Sequence, residues 1–282
     1  MTSNAVPIIE AAALEHTYES GMQALRGINM KIYKGEFIGL IGQNGSGKST
    51  LVKHLNGLLR PTKGKLFIKG QDSAKQSIVS IAKTVGFAFQ NPDHQIFCPT
   101  VREELAFGPG NMGLSGPEVE SRVREALACF RIEKYADYPP AILGFGIRRK
   151  ISLAAIYSMK PEVFIMDEPT AGLDWKSAVE LMNTAVELNE MGHTIILITH
   201  DMRIISEFTD RSIVLKDGEI LMDGTTREVL VDFELLRTTQ ITPPQIVRLS
   251  DGLIGCGIGD YALSNDEFIG KYHRLSRAAG AL

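Results

Sequence analysis

The sequence predicts an α/β protein whose core is a parallel sheet, and three observations carry that expectation. A glycine-rich run, Gly42-Gln43-Asn44-Gly45-Ser46-Gly47-Lys48-Ser49-Thr50, joins an apolar strand pattern to a helical one. Strand signals at 163–166 and 194–198 flank a helical stretch over 175–191, as in a βαβ unit with parallel strands. Between Pro92 and Pro161 the period changes, with Val119, Val123, Leu127 and Phe130 recurring at three- and four-residue steps, which gives a helix one apolar face. A helical insertion into an α/β core is the simplest arrangement.

In chain order, β-branched and apolar runs punctuated by glycine predict strands near 28–33, 36–41, 66–69 and 84–89. The helix opened by the glycine-rich run shows an apolar stripe of Leu51, Val52, Leu55, Leu58 and Leu59. After the helical insertion and the βαβ unit, a strand pair at 212–216 and 219–222 is turned by Asp217-Gly218, the favoured chemistry for a tight hairpin. Beyond Thr238, Pro243-Pro244 and the glycines between 252 and 260 predict a loosely structured appendage.

At 282 residues the chain has room for one large domain or two modest ones, with a substantial core in either case. Its 30 Lys and Arg against 33 Asp and Glu give a net charge of −3, without the basic excess of a protein held mainly by phosphate backbones, so nucleic acid is not expected as a partner. Hydrophobic residues at 44% and charged residues at 22% exclude long disorder, collagen and coiled coil. No apolar run approaches the ~20 residues needed to cross a bilayer. Glu10 and Glu15 interrupt the apolar start and no Lys or Arg precedes Arg26. Neither a secretory signal nor a transit peptide is therefore expected, and the chain is expected to stay in the cytoplasm. Cys98, Cys129 and Cys256 are widely spaced, without metal-ligand intervals, and are expected to be reduced.

The chemistry of the glycine-rich run follows from its context. A strand before it and a helix after it match a Walker A phosphate-binding loop. Gly42, Gly45 and Gly47 let the backbone curl so that successive N–H groups point inward at a helix N-terminus, where phosphates are favoured. Lys48 can reach the β- and γ-phosphates, and the Ser49 hydroxyl can ligate Mg²⁺. At 163–168 an apolar strand ends in two adjacent acids, Asp167 and Glu168. Consecutive side chains at a strand end point in different directions, so the two carboxylates cannot share one role. Asp167 is placed to hold Mg²⁺, while Glu168 can orient and deprotonate an attacking water. His200 follows the next strand, on the edge where open α/β sheets bind ligands, and can contact the γ-phosphate or the water. Tyr18 can stack on adenine or pack beside an N-terminal strand.

These motifs resemble those of the ABC-type ATPases. The resemblance rests on 42–50, Asp167-Glu168-Pro169-Thr170, Ala171-Gly172-Leu173-Asp174 and Thr199-His200-Asp201, and runs to about residue 235. It implies a P-loop NTPase core of ABC type with a parallel sheet, an N-terminal antiparallel β subdomain and a helical insertion at about 92–160, all within an ATPase domain spanning 1–237. It further implies adenine on Tyr18 and ATP phosphates on Gly42, Asn44, Gly45, Ser46, Gly47, Lys48, Ser49 and Thr50. Mg²⁺ would lie at Ser49, Gln90 and Asp167, with Glu168 as general base, His200 as switch and Asp174 as dimer contact. Nucleotide would sit between two facing subunits. Within the family, Phe89-Gln90-Asn91-Pro92-Asp93-His94-Gln95-Ile96-Phe97, followed by Val101-Arg102-Glu103-Glu104-Leu105-Ala106-Phe107-Gly108-Pro109, is similar to the energy-coupling-factor transporter ATPases, which serve vitamin, cobalt and nickel uptake. Thr242-Pro243-Pro244-Gln245-Ile246 resembles the C-terminal extension of that group and implies that 238–282 supports ATPase pairing. The implied function is ATP hydrolysis that energises such an importer from the cytoplasmic face of the membrane, with an integral membrane subunit as partner. The alternatives are a nucleotide-clamping subunit with little turnover and the ATPase of another importer class. A small-molecule kinase has no reason to carry Asp-Glu-Pro-Thr or Thr-His-Asp, and a nucleic-acid-associated member would bring tandem domains or a basic arm.

One motif departs from the family pattern. Where a signature reading Leu-Ser-Gly-Gly-Gln is expected, the chain has Leu143-Gly144-Phe145-Gly146-Ile147, followed by Arg148, Arg149 and Lys150. Gly144 has no hydroxyl to donate, Phe145 brings a ring where bare backbone should approach phosphate, and Ile147 cannot hydrogen-bond. Each lost charge-assisted hydrogen bond costs roughly 1.5 to 3 kcal/mol. In a head-to-tail pair the weakened site is the partner's, so a heterodimer with an intact-signature paralogue is expected in preference to a homodimer.

Overall fold

The computed structural model describes residues 6–256 and 258–278. Strands β1 (Ile9–Thr17) and β2 (Gln23–Ile32) form a hairpin, and β3 (Phe37–Gly42) leads through the glycine-rich loop into α1 (Lys48–Leu55). Strands β4 (Lys63–Ile68) and β5 (Gln71–Asp72) and the short α2 (Ile78–Ala82) precede β6 (Val85–Ala88). Three helices follow, α3 (Val101–Asn111), α4 (Gly116–Cys129) and α5 (Phe145–Tyr157), and then β7 (Val163–Asp167), α6 (Trp175–Glu190) and β8 (Thr194–Ile198). Next come α7 (Met202–Phe208), β9 (Arg211–Lys216), β10 (Glu219–Thr225), α8 (Thr226–Val231), α9 (Phe233–Thr238), α10 (Gln245–Leu253) and α11 (Asn265–Ala278).

The strands form two sheets. One has the order β10-β9-β3-β8-β7-β6, parallel throughout except for β10 at its edge. The other is antiparallel, β2-β1-β4-β5. The apolar runs of β3, β7 and β8 are continuous because both faces of the parallel sheet are covered. Ile38, Val163, Ile165, Ile196 and Ile198 point into a core shared with α1 and the antiparallel sheet. Phe37, Phe164, Met166, Ile195 and Leu197 alternate with them into a second core with α3 to α7.

Three expectations need correction. Strand β1 was not among the expected strands. Its Glu10, three consecutive alanines and Glu15 dilute the alternation, and bulges interrupt its pairing near Ala13, whose φ is 47°. It becomes a strand because β2 and β4 claim both of its edges. The stripe predicted to continue through Leu58 and Leu59 stops at Leu55, since the next turn is closed by Gly57 at φ 80° and leaves Leu58 exposed. The appendage beyond Thr238 is helical in α10 and α11. It docks on α7 and α8, where Arg227 donates to the Tyr261 carbonyl at 2.8 Å and to Glu267 at 2.7 Å, and the Ser206 hydroxyl donates to the Leu263 carbonyl.

Candidate active site

Sheet order assembles the site. Strands β3, β8, β7 and β6 are neighbours and run the same way. Their carboxyl ends therefore bring the glycine-rich loop, His200, the Asp167-Glu168 pair and Gln90 onto one edge, where such sheets collect ligands. There they line an open cleft of about 1100 Å³, whose far wall is Tyr18 and the start of β2.

Two glycines of the loop sit where no side chain fits. A Cβ on Gly42 would lie 2.3 Å from the Leu215 carbonyl oxygen, and one on Gly47, at φ 106°, would lie 2.8 Å from that of Ala24. Gly47 stands at the N-cap of α1 with no side chain to cap it, so the first N–H groups of the helix remain available to an anion. Lys48 is buried and its ammonium donates to the Gly42 carbonyl at 2.6 Å and the Gln43 carbonyl at 2.9 Å, closing the loop across itself. Burial pushes its pKa down, against the attraction of Glu168 and Asp167. A hydrogen bond of 3.0 Å between the Tyr18 and Thr50 hydroxyls fixes the aromatic ring relative to α1.

The two acids leave β7 differently, as their adjacency predicts. Glu168 has φ 47°, a conformation costly for a residue with a side chain. Its N–H donates to the Ile198 carbonyl at 2.8 Å, and its carboxylate accepts from the Thr199 hydroxyl at 3.0 Å and the His200 N–H at 2.9 Å. The His200 ring stands 3.6 Å from the same carboxylate. Burial raises the pKa of both carboxyls, opposed at Glu168 chiefly by the Thr199 hydrogen bond and at Asp167 chiefly by Lys48. Ser49, Gln90 and Asp167 offer hydroxyl, amide and carboxylate oxygens, the donor chemistry that suits Mg²⁺. Among the described residues no group of three or more His, Cys, Asp or Glu could hold a metal ion.

The structure gathers Tyr18, Asn44, Gly45, Gly47, Lys48, Ser49, Thr50, Gln90, Asp167, Glu168 and His200 on the cleft. Gly42 and Ser46 are not brought to it. Gly42 lines a second cavity together with Gln43 and Thr242, and the Ser46 hydroxyl is buried without a hydrogen-bond partner. Sequence reading missed Met22, Gln23 and Arg26 on β2 and its preceding turn, and Asp217 on the β9–β10 turn, which also line the cleft. Only the hairpin pairings bring them there, and no spacing in the sequence signals it. It also missed Thr199 as the partner of Glu168. Asp174 caps α6, accepting from the Ser177 N–H at 2.9 Å.

The ABC transporter family model matches residues 25–171. The chain belongs to the ABC transporter family. It is an ATP-hydrolysing cassette. It is 46% identical to the energy-coupling factor transporter ATP-binding protein EcfA of Methanocaldococcus jannaschii, over 86% of this chain and 88% of that one. Identity to the EcfA of Methanothermobacter thermautotrophicus is 42%, over 97% and 88% of the two chains. Among solved structures, cbiO1 from Clostridium perfringens, part of the ABC transporter complex cbiONQ, matches with a TM-score of 0.76 at 36% identity, covering 87% of this chain and 99% of that one. A dimeric ATP-binding cassette in a post-hydrolysis state, bound to ADP and Pi, matches with a TM-score of 0.70 at 29% identity, covering 78% and 99%.

The departure at residues 143–147 has a structural form in this ABC ATPase. Gly144 is the N-cap of α5 and supplies no capping side chain. The Phe145 ring turns inward, close against Gly172 and 5.4 Å from the Arg149 guanidinium.

Proposed function

We propose that this chain is the ATP-hydrolysing subunit of an energy-coupling-factor importer for a vitamin or a transition-metal ion, held at the cytoplasmic face of the membrane by an integral membrane subunit. The observation that carries the reading is the gathering of loop, acids, Gln90 and His200 on one sheet edge, in a chain over two fifths identical to EcfA proteins. Among the described residues no helix is long and apolar enough to cross a membrane, so such a motor needs a spanning partner.

In this reading adenine stacks on Tyr18, and Asn44, Gly45, Gly47, Lys48 and Thr50 hold the phosphates. Ser49, Gln90 and Asp167 would hold Mg²⁺, which when bound neutralises charge on the phosphate oxygens. Glu168, fixed by Thr199 and the His200 N–H, takes a proton from water as the water oxygen bonds to the γ-phosphorus. The bond from that phosphorus to the bridging oxygen breaks, leaving ADP and inorganic phosphate. His200 faces the same phosphate.

The surface for the membrane subunit is the groove of about 410 Å³ lined by Asp93, Ile96, Phe97, Cys98, Pro139 and Arg148. It lies a few residues after Gln90. Beside it Phe97, 64% exposed, and Phe107 stack edge to face at 4.7 Å, and Ile142 is 69% exposed. Apolar side chains this exposed support a partner surface. The second ATPase is a paralogue with an intact signature, because Gly144, which has no hydroxyl to donate, and Ile147, which cannot hydrogen-bond, weaken only the site they face across the pair.

Reconstitution tests both parts. The isolated chain is expected to hydrolyse ATP poorly, and activity is expected to appear on adding the paralogue. Turnover by the chain alone at the 1 to 100 s⁻¹ typical of phosphoryl-transfer kinases, with no gain from Gly144→Ser, Phe145→Gly and Ile147→Gln together, would sink the asymmetric pair. Purification from membranes without any co-purifying integral subunit would sink the importer assignment.

A further inference from the structure

Among the described residues Arg149 is the largest fully buried side chain, only 1% exposed, and sits in α5 just after the degenerate signature. A buried guanidinium ordinarily has a carboxylate partner, because desolvating a cation is expensive. Arg149 has none within ion-pair distance among the described residues, and its Nε and Nη2 find no hydrogen-bond acceptor. Its one bond runs from Nη1 to the carbonyl of Phe89, at 2.9 Å, the peptide that leads into Gln90. The N–H of the same Phe89 donates to Gln95 Oε1 at 3.3 Å, while the Gln95 amide donates at 2.7 Å to the Ser152 carbonyl, also in α5. Both backbone polar groups of Phe89 are thus held, directly or through one side chain, by one helix. A third tie, Arg148 to Asp93 at 2.8 Å, binds α5 to the turn that follows. Phe145 roofs the guanidinium.

We propose that Arg149 is a positioning residue for Gln90, a latch through which any tilt of α5 is passed to the Gln90 side chain at the nucleotide cleft. The inference rests on the role given to Gln90 above and on the first turn of α5 facing the nucleotide of a paired subunit. Its consequence is a line of communication: what the start of α5 meets across the pair changes the placement of Gln90 in this chain's own site. A purely structural arginine would not need to grip the one carbonyl before the metal-facing glutamine.

A double-mutant cycle separates the latch from a packing role. With the intact-signature paralogue added, Arg149→Met is expected to lower kcat about tenfold while KM for ATP stays within about twofold, and to cost less than a further twofold in a Gln90→Ala background. Arg149→Lys, which keeps one donor for the Phe89 carbonyl, is expected to recover more than half of the turnover lost in Arg149→Met. Thermal melts of each variant separate loss of fold from loss of function. Without turnover, the affinity of Mn²⁺ for protein loaded with a non-hydrolysable ATP analogue is expected to fall in Arg149→Met and in Gln90→Ala, and no further in the double variant. Undiminished turnover and Mn²⁺ affinity in Gln90→Ala would overturn the role of Gln90 and the latch with it. An impaired Gln90→Ala beside an unimpaired Arg149→Met, or losses that multiply in the double variant, would overturn the latch alone.

Discussion

Glu168 leaves β7 with a backbone that most side chains avoid, and one hydrogen bond to the last residue of β8 and two from the residues that follow it keep it there. Strain retained at a cleft residue and overdetermined by its surroundings is where chemistry is expected. Glu168→Gln preserves the size and shape of the side chain and removes the base, so nucleotide binding should persist while turnover falls by about 10² to 10⁴. Full activity in steady-state assays of that variant would reassign the base. Lys48→Ala should instead weaken ATP affinity itself, read by equilibrium titration, because it removes the cation that also ties the Gly42 and Gln43 carbonyls. At Gly144 the backbone already has the extended angles of an N-cap, φ −60° and ψ 155°. A serine hydroxyl there can cap the helix, so Gly144→Ser should raise the melting temperature slightly, by a few tenths of a kcal/mol in stability. A lower melting temperature would show that the hydroxyl is not accommodated at that turn.

Helix α5 lies against β6 because Gly86 has no side chain: a Cβ there would fall 2.3 Å from Ile156 Cγ2 and 2.9 Å from Pro161. Gly86→Val should push α5 off the strand that leads to Gln90, costing about 1–3 kcal/mol by overpacking, measurable as a lower denaturation midpoint. The segment before α3 is held differently. The buried carboxylate of Glu104 accepts from the N–H groups of Phe97 and Cys98 at 3.0 and 2.9 Å. Burial pushes the Cys98 thiol up to about 11, with the Glu104 charge adding to it. A thiol reacts as its thiolate, so maleimide labelling of Cys98 should be slow at neutral pH and accelerate about tenfold per unit up to ~pH 10. Rapid labelling at pH 7 would contradict that environment. Glu104→Gln should speed it by removing the negative charge. Elements such as β3, β7 and β8 were legible in the sequence because burial on both faces leaves an unbroken apolar run. The glycine-rich loop was legible because its glycines mark backbone that no other residue could adopt. Strand β1 was not, since Ala11 to Ala13 carry little hydrophobic signal and its state is set by partners on both edges. Helices α10 and α11 were hidden by the prolines and glycines that separate them. The grip of Arg149 on Phe89 could not be read, because it joins residues 60 apart through a single hydrogen bond.

At the scale of the molecule, the docked C-terminal helices carry Leu249, Ile269 and Tyr272, each about half exposed. If they support pairing, removing residues 239–282 should shift sedimentation toward monomer while ATP still binds. A truncated chain that pairs as before would place the contact elsewhere. The β9–β10 turn reaches further than its size suggests. The Gly218 N–H donates to the Ser46 carbonyl at 3.0 Å, and the Gly218 carbonyl accepts from the Arg26 N–H at 2.8 Å. One residue thereby joins the edge of the parallel sheet, the phosphate loop and the antiparallel sheet. A loop anchored this way has given up its conformational freedom on folding, so an arriving nucleotide meets it already shaped and loses less entropy in ordering it. Calorimetry should then show ATP binding with little of the heat-capacity change that accompanies coupled folding. Gly218→Ala, whose added Cβ would lie 2.7 Å from the Ala24 carbonyl, should make that change more negative by loosening the anchor.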